Sequence, residues 1–200
     1  MRALPLATHL VTLLLIALLA TGCAGRSASE AEEEPDEFAG VAEQQLYEEA
    51  RDALEGRRFT TAVTRLEAID TRYPFGRHAE QAQLELIYAY YETNDWEATR
   101  AAASRFIRLH PTHPQADYAL YMRGLASWQA GRFSLERLRL IDISRRDLGA
   151  SRDAYSDFRE LVTRYPDSEY APDAAQRIVY LRNLLARHEL HVADFYLRKG

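Results

Sequence analysis

The feature that most constrains this chain is a segment that occurs three times and ends each time at a proline. Each copy has an apolar stripe at helical spacing, and proline stops it because proline lacks the N–H that a helix needs and disfavours α-helical geometry in the preceding residue. Pro74 and Pro111 lie 37 residues apart, whereas Pro111 and Pro166 lie 55 apart. The sequence therefore predicts a helical repeat of 37 residues, one copy of which carries an 18-residue insertion. The three copies are residues 66–74, 103–111 and 158–166.

The turn between the two helices of each repeat falls at an equivalent position in the three copies. Glycine or asparagine at Gly56, Asn94 and Gly131 marks the end of one helix, and an aromatic residue follows shortly after. Small residues stand where two helices would approach closely, at Ala50, Ala62, Gly124 and Ala154. This helix-turn-helix unit resembles the tetratricopeptide repeat, although its period is longer than usual. Such units stack into a superhelix with a concave groove because one pair cannot bury its apolar face alone.

The predicted fold class is therefore all-α, a tetratricopeptide-like α-solenoid that follows a lipoprotein signal and a disordered linker. No period-2 run of β-branched residues predicts a strand. The last predicted helix looks like the first member of another pair, so we expect the sequence to be a fragment that lacks its C-terminal repeat. The predicted helices are 43–56, 59–72, 77–93, 95–109, 114–130, 151–164, 170–186 and 188–198.

The N-terminal residues have the layout of a secretory signal. An apolar run from Leu10 to Ala20 is too short to cross a bilayer, which takes about 20 residues. It ends in small residues before Cys23, the only cysteine in the chain. Residues 19–23 resemble a bacterial lipobox, which implies cleavage after residue 22 and lipid attached to Cys23. The alternatives are an ordinary signal peptide with a chance cysteine, or an uncleaved anchor helix, which the length disfavours.

Three regions follow: a signal peptide at 1–22, a lipidated cysteine with an acidic disordered tether at 23–40, and the repeat domain at 41–200. Six acidic residues against Arg26 make the tether acidic, and the folded part is almost neutral, with 23 basic and 24 acidic residues. A near-neutral domain argues against nucleic acid as a partner. Several acyl chains on one cysteine would hold the protein on a membrane. Because Ala24 replaces the aspartate of inner-membrane lipoproteins, we expect the periplasmic face of the outer membrane.

The sequence contains no recognisable catalytic constellation. It has no glycine-rich phosphate loop and no nucleophile motif, and Cys23 is assigned to lipid. His188 and His191 are three residues apart, whereas a zinc-protease helix spaces its histidines four apart. We therefore predict no enzyme activity, no metal, and no cofactor other than the covalent lipid.

Tyrosines form two helical stripes that are candidates for partner binding. Tyr88 and Tyr91 share one stripe, and Tyr118 and Tyr121 share the next. Core packing between helices is one interpretation. The other is that some rings line the groove, where a tyrosine presents an apolar ring and a wet hydroxyl.

A resemblance to a known family is carried by segments 110–114, 142–147, 164–171, 180–183 and 189–196. Together they resemble the BamD family, the lipoprotein subunit of the outer-membrane β-barrel assembly machinery. The resemblance implies a non-enzymatic adaptor that binds the POTRA domains of BamA and other lipoproteins of the complex, and that receives unfolded outer-membrane proteins. It also makes Arg182, Asn183 and His191 candidate partner-binding residues.

The insertion adds a further hypothesis, because insertions in repeat arrays map to one face that is often the binding face. Residues 135–148 together with 180–191 would form a partner surface to which Arg145 and Arg146 contribute. The alternative is that the aliphatic residues of the insertion simply cap the solenoid. Two rival functions remain open: another periplasmic repeat lipoprotein, such as a regulator of peptidoglycan enzymes, or an enzyme whose catalytic part lies outside this sequence.

Overall fold

A computed structural model of the chain describes residues 37–132 and 147–199. The predicted signal peptide, Cys23, most of the tether and most of the insertion, including Arg145 and Arg146, lie outside these residues. The chain divides into two units, Met1–Ala39 and Gly40–Gly200, and every described helix belongs to the second. In the described ranges all regular structure is α-helical and no strand occurs. The predicted fold class is confirmed.

Seven helices form the described part of the second unit, and each packs on its neighbours in chain order. Six of them agree with the predicted helices to within two residues at each end. Helices 170–186 and 188–198 were predicted as separate, and this prediction is wrong, because one continuous helix of 29 residues occupies both. Its one proline, Pro172, lies in the first turn, where a helix tolerates proline, and no glycine or proline follows it before Lys199, so nothing near residue 187 stops the helix. The helices are Glu43–Glu55 (α1), Phe59–Arg72 (α2), Ala79–Glu92 (α3), Trp96–Leu109 (α4), Ala116–Ala130 (α5), Gly149–Arg164 (α6) and Ala171–Lys199 (α7).

The repeated prolines set the boundaries between helix pairs. Helices α2, α4 and α6 each end two residues before a proline. The residue between, Tyr73, His110 or Tyr165, has φ of −124° to −131° and ψ of 50° to 63°, outside the α-helical region. This is the restriction expected of a residue that precedes proline. The next helix begins five residues after each proline, so the three boundaries are equivalent.

The turns within the first two pairs close their helices in the same way. Arg57 and Asn94 have positive φ values of 55° and 62°. The following backbone N–H groups reach back five residues, from Arg58 to the Ala53 carbonyl at 2.8 Å and from Asp95 to the Tyr90 carbonyl at 3.0 Å. This is the Schellman arrangement, which satisfies carbonyls at a helix C-terminus. The chain therefore reverses in three residues.

The predicted close contacts between helices are present. Ala50, Ala62, Gly124 and Ala154 are all buried. A Cβ atom on Gly124 would lie 2.7 Å from Cε1 of Phe158 on α6, which shows how near the two helices come. Helix α3 also contacts α5, so the first helices of these two successive pairs lie side by side. The largest fully buried side chains include Leu46, Leu66, Ile87, Phe106, Leu120, Phe158, Leu161 and Leu181.

Candidate partner-binding site

Tyrosine and carboxylate side chains form a row across the first helices of the pairs. On α1, the Tyr47 hydroxyl donates to Oε1 of Glu85 at 3.2 Å, and Nη1 of Arg51 reaches the same oxygen at 3.1 Å. The other carboxylate oxygen of Glu85 is buried and accepts no hydrogen bond from the described residues. We call the following residues the tyrosine row: Tyr47, Glu85, Tyr88, Tyr118, Tyr121, Tyr170 and Asp173.

Tyr118 connects the part of the row on α3 with the part at the start of α7. Its ring centroid lies 5.9 Å from that of Tyr170. Burial raises the pKa of the Tyr118 hydroxyl, and the neighbouring Tyr170, Tyr88 and Glu85 raise it further. Tyr118 therefore stays neutral at physiological pH and can donate a hydrogen bond.

Tyr121 is held between a ring and a carboxylate. Its ring stacks on Tyr170, with centroids 4.7 Å apart and planes 17° apart, and its hydroxyl donates to Oδ2 of Asp173 at 2.7 Å. Burial, together with the bond to Asp173, raises the pKa of Tyr121 to about 12. Partial burial opposes the charge of Asp173, but hydrogen bonds from Arg177 and Tyr121 outweigh it and lower the Asp173 pKa. Asp173 is thus ionised and orients Tyr121.

One turn further along α7, Arg177 organises a second group that the sequence analysis missed. Its Nε donates to Asp173 at 2.5 Å, and its guanidinium carbon lies 5.0 Å from the Trp128 ring centroid. Tyr180 packs edge-on against the same indole at 5.1 Å. A cation above an aromatic face is attracted to it. The spacing of Asp173 and Arg177, four residues apart, was the available sequence clue.

The four predicted tyrosines have different environments. Tyr118 and Tyr121 converge on Tyr170. Tyr88, at 37% exposure, stands edge-on to Phe59 with ring centroids 5.8 Å apart, so it is the most open of the four. Tyr91 is turned into the packing instead, since it contacts Trp96 at 5.2 Å and accepts a hydrogen bond from Gln129 at 3.0 Å. The groove interpretation therefore suits Tyr88 best and Tyr91 least.

The other predicted residues lie on α7 or outside the described ranges. Arg182 and Asn183 are exposed and adjacent, and the buried Leu181 separates them from the half-exposed Tyr180. His191 is half-buried and follows Arg182 by nine residues, about 13 Å along a helix. Arg145 and Arg146 remain outside the described residues.

A cluster of ion pairs joins α5 to α6 on the other side of the repeats. Nε of Arg123 donates to Oδ1 of Asp157 at 2.9 Å, and its Nη2 donates to Glu160 at 3.0 Å. Burial raises the pKa of Asp157, although the ion pair with Arg123 opposes the shift. The cluster borders an open pocket of about 440 Å³ between α4 and α6. Its polar groups are largely satisfied within the chain, so we assign it to helix packing.

Two properties of the described ranges bear on the site. Between residues 37 and 132 and between 147 and 199, no group of three His, Cys, Asp or Glu side chains is arranged to hold a metal ion. Among the helices of these ranges, none combines the length and apolar character needed to cross a bilayer.

Residues 40–200 match the YfiO family, which is described as "Outer membrane lipoprotein". The chain belongs to this family. The match covers all seven described helices, so the tyrosine row, α7 and the proline boundaries are all part of the YfiO domain. The expected relationship to outer-membrane lipoproteins is thereby confirmed.

Similar curated proteins carry the name "Outer membrane protein assembly factor BamD". The chain is 47% identical to the one from Vibrio cholerae over 165 residues, 82% of this chain and 68% of the relative. It is 45% identical to the one from Neisseria meningitidis over 78% of this chain and 59% of the relative. With Xylella fastidiosa the identity is 35% over 96% of this chain and 64% of the relative. The chain thus spans about two thirds of the curated relatives it matches.

Proposed function

We propose that this chain is a non-catalytic adaptor in the assembly of outer-membrane β-barrel proteins. The observation that carries the proposal is the family match over residues 40–200, with relatives named as outer-membrane protein assembly factors. An all-helical repeat supports it physically, because stacked helix pairs provide extended surfaces for other proteins. The rival role in regulating peptidoglycan enzymes lacks such support.

The proposed location is the periplasmic face of the outer membrane, with lipid on Cys23. The support is the lipobox-like sequence at residues 19–23 together with the family description. More than one acyl chain makes such an anchor stable. Cys23 therefore provides attachment, and the helical repeats provide recognition.

The proposed partners are the POTRA domains of BamA, the other lipoproteins of the complex, and unfolded outer-membrane proteins. The tyrosine row is the surface we assign to unfolded substrate. Tyr88 offers an exposed ring against which an apolar side chain of an extended peptide can pack. The partner-binding role of Tyr118 and Tyr121 is to shape this surface.

Site-specific crosslinking tests the assignment of the row. A photo-crosslinking phenylalanine derivative replaces Tyr88 in the lipidated protein, and the matched control replaces Tyr155 on α6. We expect crosslinks to unfolded outer-membrane protein from position 88 and few from position 155. Equal yields from both positions would contradict the assignment of the row, and recovery of a cell-wall hydrolase in place of the assembly subunits would contradict the function.

Charge reversal tests the second proposed surface, on α7 and the insertion. Arg182→Glu, alone and with Arg145→Glu and Arg146→Glu, should weaken co-purification of the barrel subunit from mildly solubilised outer membranes. Arg159→Glu is the matched control, since Arg159 is also exposed but lies on α6, outside residues 180–191. Unchanged melting temperatures would show that the loss is one of binding. If Arg159→Glu weakens capture as strongly as Arg182→Glu, the surface is wrongly placed.

A further inference from the structure

The turn between α2 and α3 carries a phenylalanine that is almost fully solvent-exposed. Phe75 is 99% exposed, and Leu109 at the end of α4 is 54% exposed. Both line one surface pocket of about 720 Å³. Exposed apolar residues are common singly, but two that border the same pocket form a patch that favours association with something apolar.

The chain holds this phenylalanine in place rather than leaving it on a loose loop. The carboxylate of Glu43 accepts hydrogen bonds from the backbone N–H of His78 at 2.6 Å and of Arg77 at 3.3 Å. The N–H of Gly76 donates to the Tyr73 carbonyl at 2.9 Å. A side chain at Gly76 would run into the Glu43 carboxylate. The turn is therefore fixed by its neighbours, and Phe75 projects from a rigid base.

Arginines flank both apolar residues. Arg77 is exposed two residues after Phe75, and its Nη2 donates to the neutral amide of Gln44 at 2.7 Å, which leaves its charge in place. Arg108 is exposed in the last turn of α4, next to Leu109. The acidic side chains nearby are engaged: Asp70 pairs with Arg105, and Glu80 lies 3.4 Å from His110 and 3.7 Å from His113.

The same end of the repeat domain is where the chain enters it. The Tyr73 hydroxyl, two residues before Phe75, donates to the carbonyl of Val41 at 2.6 Å. Val41 immediately precedes the first helix and follows the segment that leads back to Cys23. Phe75 thus stands beside the entry point of a chain that we have proposed to be lipid-anchored.

We propose that Phe75, Leu109, Arg77 and Arg108 form a membrane-contact surface for anionic phospholipid. An exposed aromatic ring enters the interface between headgroups and acyl chains, and basic side chains beside it are attracted to anionic headgroups. The inference rests on the proposed lipid anchor at Cys23, which would keep this end of the domain near a bilayer. The surface would orient the repeats relative to the membrane and leave the tyrosine row free.

Fluorescence quenching tests contact in the anchored protein. The lipidated protein carrying Phe75→Trp is reconstituted into vesicles of phosphatidylethanolamine and phosphatidylglycerol that contain bromine-labelled acyl chains. Tyr88→Trp and the wild type, which has two native tryptophans, are the controls. We expect extra quenching only at position 75, and less of it in phosphatidylcholine vesicles. Equal quenching at positions 75 and 88, or none at position 75, would overturn the proposal.

Binding without the anchor tests the side chains themselves. The full chain carrying Cys23→Ser is mixed with the same anionic vesicles, and adding Phe75→Ser should lower its partitioning roughly tenfold. Arg77→Gln or Arg108→Gln should each lower it about fivefold, and high salt should weaken it. Leu197→Ser is the matched control, because Leu197 is also strongly exposed but lies at the end of α7.

The outcomes separate this inference from the proposed function. Co-purification of the assembly subunits reports on the function alone and should survive Phe75→Ser, whose fold should be intact because the ring makes almost no packing contact. If Phe75→Ser abolishes co-purification and leaves vesicle binding unchanged, the patch is a protein interface and the membrane proposal is overturned. Equal losses for Phe75→Ser and Leu197→Ser would overturn it as well.

Discussion

Helices α5 and α6 pack so closely at Gly124 that a side chain there has no room. Because a Cβ there would meet the Phe158 ring at 2.7 Å, Gly124→Leu should overpack the contact and lower the free energy of unfolding by about 1–3 kcal/mol. Urea unfolding measures this loss. Gly149→Ala is the matched control: its Cβ would meet only Asp147, at 3.6 Å, so this variant should be as stable as the wild type or slightly more stable. Equal stability of Gly124→Leu and the wild type would refute the contact.

Asp157 should stabilise the fold more at acidic pH than at neutral pH, which is the opposite of what most carboxylates do. Burial raises its pKa against the effect of Arg123, so the folded chain binds this proton more tightly than the unfolded chain. Its contribution is complete below the unfolded pKa of about 3.9 and decreases as the pH rises through the folded pKa. Asp157→Asn should remove this dependence. Urea unfolding of both proteins from acid to neutral pH gives the test, and a difference that is constant with pH would contradict it.

At the scale of the helices, a proline substitution tests whether α7 is continuous. Arg187→Pro removes the N–H that bonds the Asn183 carbonyl and places the proline ring against that carbonyl, at a cost of about 3 kcal/mol to the helix. We expect reduced helical circular dichroism, because the residues near the break lose their helical hydrogen bonds. Arg187→Ala is the control and should keep the full signal. If the proline variant is equally helical, the chain already ends a helix before residue 187.

At the scale of the whole protein, the proposed attachment of lipid to Cys23 can be tested by substitution. Cys23→Ser removes the only thiol, so metabolic labelling with a fatty-acid analogue should mark the wild type and leave the variant unmarked. The melting temperature of the repeats should not change, because every described helix lies after residue 40. Label on the serine variant would show that another residue carries the lipid.

Short-range sequence was enough to define the repeat. The prolines restrict the residue before them wherever they occur, so the ends of α2, α4 and α6 could be predicted from local geometry alone. Small residues such as Ala50 and Gly124 likewise indicated close helix contacts. The prediction failed at α7, where a break was inferred from the phase of the repeat although no residue near 187 stops a helix.

The direction in which each side chain faces required the tertiary structure. Tyr88 and Tyr91 belong to one helical stripe, yet one is exposed and the other is turned against Trp96. Trp128 and Arg177 meet although they are far apart in sequence, because the superhelical stacking of pairs brings α5 and α7 together. Periodicity identifies the apolar side of a helix, but neighbouring helices decide which part of that side stays open, because burial depends on distances between elements that no local pattern encodes.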